Sequence, residues 1–259
     1  MAATASTNLQ PFLERLSLRS VLTDQERRAI LGLPGRARQV RANHDFVALG
    51  ERVDHVSLIV AGLVGRFEQN GEGARQITAI HVPGDMADLH SVVQPRATSA
   101  LQALSVATIL QIPHAALRSA TARYPAIAEI LWRDCMADAA ILSQWIVNVG
   151  RRDAKARIAH LLCELAFRLG APVGHGSFSF PFQVTQMQLA DATGLTSVHV
   201  NRVLKSLREG GLAEVGRLEV TVRDWDRLRA AGEFNPNYLQ ADIKPHERLR
   251  IVQSSHAVT

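Results

Sequence analysis

Residues 185–211 read TQMQLADATGLTSVHVNRVLKSLREGG, and the placement of their small, glycine and apolar side chains predicts two crossed helices. Gln186 to Ala192 make a short helix with Leu189 inward and Ala190 small enough for a second helix to approach closely, and Gly194 supplies the turn. Thr196 offers a hydroxyl cap to a second helix in which Val200, Val203, Leu204 and Leu207 recur at i, i+3, i+4 and i+7 as one buried stripe. The opposite face carries Ser197, Val198, Asn201, Arg202, Lys205 and Arg208. These short polar, amide and guanidinium groups suit base edges and phosphates in a major groove. A plain helical hairpin is the competing reading, and it does not account for a face that holds cations and no acid until Glu209.

The residues that follow extend the motif. Gly210-Gly211 ends the second helix, and Leu212–Val215 and Leu218–Val222 read as two strands joined at Gly216-Arg217. Helix, helix and hairpin make a winged helix, with Arg217 at the wing tip placed for a backbone phosphate. Thr185 and Gln186 at the start of the first helix, and Thr196 and His199 at the start of the second, complete the expected DNA-contacting set.

Composition agrees without deciding. The chain has 259 residues, 47% hydrophobic and 20% charged, with a net charge of +5, an ordinary globular composition tilted toward a polyanionic partner. Its two cysteines, Cys135 and Cys163, form neither a disulfide framework nor a CxxC spacing and are expected as buried thiols in a reducing compartment. The chain opens on no charged-then-apolar leader, and no apolar run approaches the roughly 18 residues of a membrane span, so a cytoplasmic location without a membrane partner is expected.

Outward from the motif, the chain changes period three times. Residues 1–8 are small and polar and read as a frayed end, after which Leu9, Phe12, Leu13 and Leu16 give an amphipathic helix. Thr23-Asp24-Gln25-Glu26 reads as a capping box opening a helix with Ile30 and Leu31. From about Arg38 to Pro113 short strands alternate with turns: Phe46–Leu49, Val56–Val60, Leu63–Phe67, Ile77–Ile80 and Val106–Leu110, separated by Gly50-Glu51, Ala61-Gly62, Asn70-Gly71 (a type I′ candidate) and Pro83-Gly84-Asp85. That spacing suggests an antiparallel jelly roll. Tyr124-Pro125 ends it, and a long helix follows in which Ile127, Leu131, Cys135, Asp138, Leu142, Trp145 and Val149 form a heptad-like seam that asks for a twin helix. The alternative is burial against the chain's own barrel, and Asp138 on the seam is the feature in its favour. Gly150 interrupts the pattern as an expected hinge. Ile158, Leu161, Leu162, Leu165 and Leu169 then mark a fresh helix, and Trp225, Leu228 and Phe234 are expected to seal the C-terminal domain.

A barrel with Pro83-Gly84-Asp85 and Val60-Ala61-Gly62-Leu63-Val64 turns, a long helix, Gly150-Arg151-Arg152-Asp153-Ala154 and the helix Leu195–Leu204, in this order, resembles the Crp/Fnr family of bacterial transcription regulators. The resemblance covers about residues 9–239. It implies an α+β fold: a cyclic-nucleotide-binding-like β jelly roll at 9–123, a dimerisation helix at 124–149, a winged helix-turn-helix at 150–240, and a tail at 241–259. It also implies double-stranded DNA with a two-fold symmetric operator, RNA polymerase, and a twin subunit met through Ile127, Leu131, Cys135, Leu142, Trp145 and Val149. Arg202 matches the position that reads guanine, whereas Val198 stands where better-known branches carry a glutamate, so the operator should differ from theirs.

The sensor departs further from the pattern. The cyclic-nucleotide branch holds ribose and cyclic phosphate with Gly-Glu and a downstream Arg-Ser or Arg-Thr. This chain has Ala87-Asp88 there, and Arg96 falls one residue out of register. The pocket expected at Gly84, Asp85, Asp88, Arg96, Thr98 and Ser99 is therefore assigned an effector other than cyclic AMP, and no resident cofactor or metal is expected. The oxygen-sensing branch needs a cysteine cluster, which a chain whose first cysteine is Cys135 lacks. The competing classes are a cyclic-AMP-responsive regulator and, from His44, His55, His81 and His90, a cupin-like metal-dependent barrel enzyme. No HxH pair with a following glutamate and no GxSxG elbow supports catalysis.

Overall fold

The computed structural model describes residues 2–174 and 176–239. The assigned tail at 241–259 lies outside them. The chain begins with helix α1, Ala2–Ser17, so the small residues at its start continue the helix rather than fray. Leu9, Phe12, Leu13 and Leu16 are buried on one face of α1, as their spacing predicts. Helix α2, Asp24–Leu31, opens on the expected capping box: Thr23 accepts from the Glu26 amide, and the Glu26 carboxylate accepts from the Thr23 amide at 2.7 Å.

Seven strands follow: β1 Arg36–Val40, β2 His44–Val47, β3 His55–Ala61, β4 Val64–Gln69, β5 Arg75–His81, β6 Ala100–Ala103 and β7 Ala107–Pro113. They pair antiparallel in two sheets, β1-β7-β3 and β2-β6-β4-β5, and close over Val47, Val53, Ile59, Val64, Leu101 and Ile109. Strands β1 and β6 carry too little apolar alternation to be read from the sequence; their partners impose them. Gly62 has φ +81, and a Cβ there would stand 2.3 Å from the Val106 carbonyl oxygen, so only glycine makes that turn. Asn70-Gly71 does not form the two-residue type I′ turn. The Asn70 side chain accepts from the Glu72 and Ala74 amides, and Gly73, not Gly71, takes positive φ, giving a longer loop.

Helix α3, His114–Arg123, leads into α4, Pro125–Arg151, and α5, Ala154–Arg168. Helix α4 runs straight through Gly150; the break comes at Arg152, and the Asp153 side chain caps α5. The helix break expected at Gly150 falls instead at Arg152-Asp153, where Arg152 leaves the helical conformation and the Asp153 side chain accepts from the Ala156 amide to start α5. Strand β8 (Phe178–Pro181), helices α6 (Gln186–Thr193) and α7 (Ser197–Glu209), strands β9 (Ala213–Val215) and β10 (Glu219–Val222), and helix α8 (Trp225–Ala231) complete the order. Trp225, Leu228 and Phe234 are buried where expected, and one core joins barrel residues Leu63, Phe67, Ile77 and Ile80 to α5 and to Leu189 of α6.

Burial keeps the His81 and His160 imidazoles below the ordinary histidine value, His81 well below it, with Arg152 adding to the effect at His160. The unfolded chain binds protons at these sites where the folded chain does not, so the stability they contribute is present above the unfolded value of about 6.5 and lost as pH falls below it. Asp88 acts with the opposite sign, because burial raises its carboxyl against its hydrogen bonds from Ser57. The urea unfolding midpoint is expected to fall from pH 7 to pH 5, and His160→Gln is expected to flatten that fall. An unchanged slope in His160→Gln would contradict the assignment.

Candidate nucleic-acid interface

The helix pair is built by local rules. Thr185 caps α6 in a reciprocal box with Gln188, Gly194 closes it in the left-handed conformation at φ 64, and Thr196 caps α7 by accepting from the His199 amide. Val200, Val203 and Leu207 are buried and Leu204 half-buried. Every expected contact residue is exposed: Thr185, Gln186, Thr196, Ser197, Val198, His199, Asn201, Arg202, Lys205, Arg208 and Arg217.

A cleft of about 440 Å³ runs between α7 and the wing, lined by Gln186, Val198, Asn201, Arg202, Lys205 and Arg208 together with Leu204, Glu214 and Val215. Thr185, Thr196, Ser197, His199 and Arg217 lie outside it. Arg202, Arg208 and Arg217 have no ion-pair partner among the described residues, Lys205 meets Glu209 at 3.7 Å, and the cleft's Glu214 is neutralised by Arg223 at 2.6 Å. The cleft thus presents uncompensated guanidinium groups, the electrostatic requirement for a phosphate-lined partner. The wing is a three-stranded sheet, β8-β10-β9; β8 is the strand the sequence does not announce. Its tip, Gly216–Leu218, carries Arg217 outward, held by the Gly216 amide donating to the Glu219 carbonyl at 2.8 Å.

The barrel interior does not assemble the expected effector pocket. Arg96 and Thr98 are exposed. Asp88 is buried and spent, accepting from the Ser57 amide at 2.6 Å and the Ser57 hydroxyl at 3.2 Å. Gly84 lies under α1 against the Pro11 carbonyl. Asp85 points toward the C-terminal half, accepting from the Val82 amide and pairing with Arg15 of α1 and Arg168 of α5. Of the expected set only Asp88 and Ser99 line the internal cavity, which has about 10 Å³ of free room, enough for at most about one water. The four histidines do not converge either: among the described residues no group of three or more His, Cys, Asp or Glu side chains is placed to hold a metal.

Two family models match in tandem: a cyclic nucleotide-binding domain over residues 37–124 and a Crp-like helix-turn-helix domain over residues 156–231. The chain belongs to the Crp/Fnr family. Regulatory protein HlyX of Actinobacillus pleuropneumoniae is 23% identical over 83% of this chain and 90% of that protein. The nitrogen fixation regulation protein FixK of Azorhizobium caulinodans is 26% identical over 82% and 86%. The solved structure of FixK2 from Bradyrhizobium japonicum superposes with a TM-score of 0.70 at 24% identity, covering 77% of this chain and 98% of that one. This is a Crp/Fnr-type transcription regulator with a helix-turn-helix DNA-binding domain, and no helix among its described residues is long and apolar enough to cross a membrane.

In this Crp/Fnr chain the long helix faces differently from its sequence reading. Ile127, Leu131 and Trp145 are buried against the chain's own barrel and α5, and Val149 is half-buried. Leu142 of the expected seam stays exposed, and beside the seam Trp132, Met136, Ile146 and Val147 extend the unpartnered apolar face. Cys135 is exposed there too rather than buried, its thiol pushed up to about 11 by partial burial and neighbouring carboxylates, while Cys163 is buried as expected. Asp138 is explained by Arg66 of β4, whose Nη2 donates to it at 2.9 Å. A second polar cluster, which spacing could not reveal, pins the two halves. Glu164 of α5, fully buried, accepts from the Trp145 indole, from Arg168 at 3.0 Å and from the Tyr238 hydroxyl at 2.7 Å. Gln188 of α6 donates to Asn43 and to the Leu104 carbonyl of the barrel.

Proposed function

We propose that this regulator acts in the cytoplasm as a homodimer that reads a two-fold symmetric operator and contacts RNA polymerase. Its barrel senses an effector other than cyclic AMP. The observation that carries the reading is the α7 face: Arg202 and Asn201 stand exposed in a cleft flanked by free guanidinium groups, with the wing tip Arg217 beyond it. Arg202 and Asn201 reach base edges, while Lys205, Arg208, Arg217 and the capped starts of α6 and α7 (Thr185, Gln186, Thr196, Ser197, His199) sit on the backbone. Val198 offers an apolar contact to a thymine methyl. The exposed stripe on α4 supplies the twin contact that two operator half-sites require. The closed cavity, with about 10 Å³ of free room, and the exposed Arg96, which stands one residue from the expected register of a phosphate-binding arginine, argue against cyclic AMP.

The test is a gel shift of the purified protein on its own upstream region and on a random duplex of equal length. A specific shift that weakens steeply from 50 to 200 mM salt is expected. Equal binding to both duplexes would overturn the reading, as would cyclic AMP raising operator affinity at micromolar levels.

A further inference from the structure

The barrel holds α6 at both ends. At its C-terminal end Gln76 of β5 donates to the Ala192 carbonyl at 3.4 Å. At its N-terminal end Gln188, whose Oε1 accepts from the Thr185 amide in the capping box, donates from Nε2 to the Asn43 side chain at 2.8 Å and to the Leu104 carbonyl at 3.2 Å. A capping-box side chain folds back over the first turn of its helix, so Asn43 stands at the end of α6 that carries the exposed Thr185 and Gln186. Asn43 belongs to the β1–β2 turn. It takes φ 63, its amide donates to the Ala103 carbonyl at 2.7 Å, and the His44 amide closes the turn on the Arg41 carbonyl at 3.3 Å. Arg41, at most about 7 Å from Asn43 between Cα atoms, is exposed and has no ion-pair partner among the described residues. Residues 27–44 hold five arginines and no acid, and the next carboxylate, Asp45, accepts from Gln102 at 2.7 Å.

From this juxtaposition we propose that the β1–β2 turn of the barrel is a further part of the DNA interface, in which Arg41 holds a backbone phosphate of the duplex read by α7. The proposal rests on the DNA-binding reading and carries it beyond the helix-turn-helix. In that motif the first helix crosses the phosphate backbone while the second enters the groove, and the turn adjoins the first helix at the end whose side chains and capped amides face the backbone. A phosphate ridge passing that end meets a guanidinium on a long stem with no carboxylate answering it, the requirement for a contact that adds affinity without reading sequence. Asparagine tolerates the left-handed turn, and its side chain ties that turn to α6, so the guanidinium is carried at a fixed place beside the reading head. The contact comes from the sensor domain, and a shift of the head against the barrel therefore changes DNA affinity without altering α7.

Gel shifts of full-length protein on its own upstream region and on a random duplex test this across a range of salt. Arg41→Gln is expected to weaken both complexes by the same factor, about three- to tenfold, and to lower the salt slope by about one per subunit. Arg41→Lys keeps the charge and is expected to bind within about twofold of the wild type. Arg28→Gln, in the cleft between α2 and α3, removes the same charge elsewhere and is expected to leave affinity and slope unchanged. Hydroxyl-radical footprints are expected to show backbone positions protected by the wild type and Arg41→Lys and open in Arg41→Gln. Arg41→Gln binding no more weakly than Arg28→Gln, or identical footprints, overturns the proposal. So does a loss confined to the specific duplex, which would make Arg41 a reader of bases. A specific wild-type shift that Arg41→Gln leaves intact sinks this proposal alone, whereas a wild type that shifts neither duplex sinks the DNA-binding reading and this with it.

Discussion

Ile146→Asp is expected to turn a dimer into a monomer in sedimentation at micromolar concentration, and to cost operator affinity with it. Ile146 is 63% exposed in the isolated chain, and Trp132 and Met136 extend the same face of α4 at 62% and 64%. Residues 132, 136, 139, 143 and 146 alternate steps of four and three, the spacing at which two helices interdigitate. Each buried isoleucine contributes about 1.5–3 kcal/mol, and a symmetric dimer buries two, so the loss is about 3–6 kcal/mol, a weakening of about a hundred- to ten-thousandfold. Two unpaired carboxylates in the seam add to it. Val93→Asp, at a barrel residue 86% exposed and outside α4, is the control and should leave the mass unchanged. A wild-type monomer, or an intact Ile146→Asp dimer, would remove the pairing from the proposed function.

Arg202→Ala should bind its operator scarcely better than a random duplex, whereas Arg217→Ala should bind both more weakly by the same factor. Arg202 stands free in the α7 cleft with no ion-pair partner among the described residues, so its fork is available to the O6 and N7 of a guanine. Such a contact is worth about 1–3 kcal/mol of discrimination per half-site. Arg217 leaves the wing between β9 and β10 and is expected to meet backbone phosphate alone, so its loss should lower the salt slope by about one while sparing specificity. Equal losses on specific and random duplexes for Arg202→Ala would refute base reading by α7.

The sequence by itself determined what short-range physics controls. The α7 stripe Val200, Val203 and Leu207, the Thr23, Thr185 and Thr196 caps and the left-handed Gly194 are set within a turn or two of chain, and so is the outward face that carries Arg202. A helix fixes the direction of its own side chains, so which residues stand on the exposed face proposed to meet DNA was legible before any packing was known.

Tertiary structure decided everything that depends on which surfaces meet. Helix α4 is apolar on more than one side, so a heptad count finds a seam but not whether the barrel or another molecule covers it; packing gave Ile127, Leu131 and Trp145 to the core and left the neighbouring face bare. The Pro83-Gly84-Asp85 turn was readable as a turn. That Asp85 would meet Arg15 and Arg168, residues distant in sequence, was not, since no local pattern encodes an ion pair closed across three elements. The same holds for the sensor. Arg96 looked like the barrel's cation because it lay near a known spacing, yet a strand alternates its side chains and a loop obeys no period. Only the folded sheets show Arg96 in solvent and Arg66 inside, its charge answered from a helix 72 residues away.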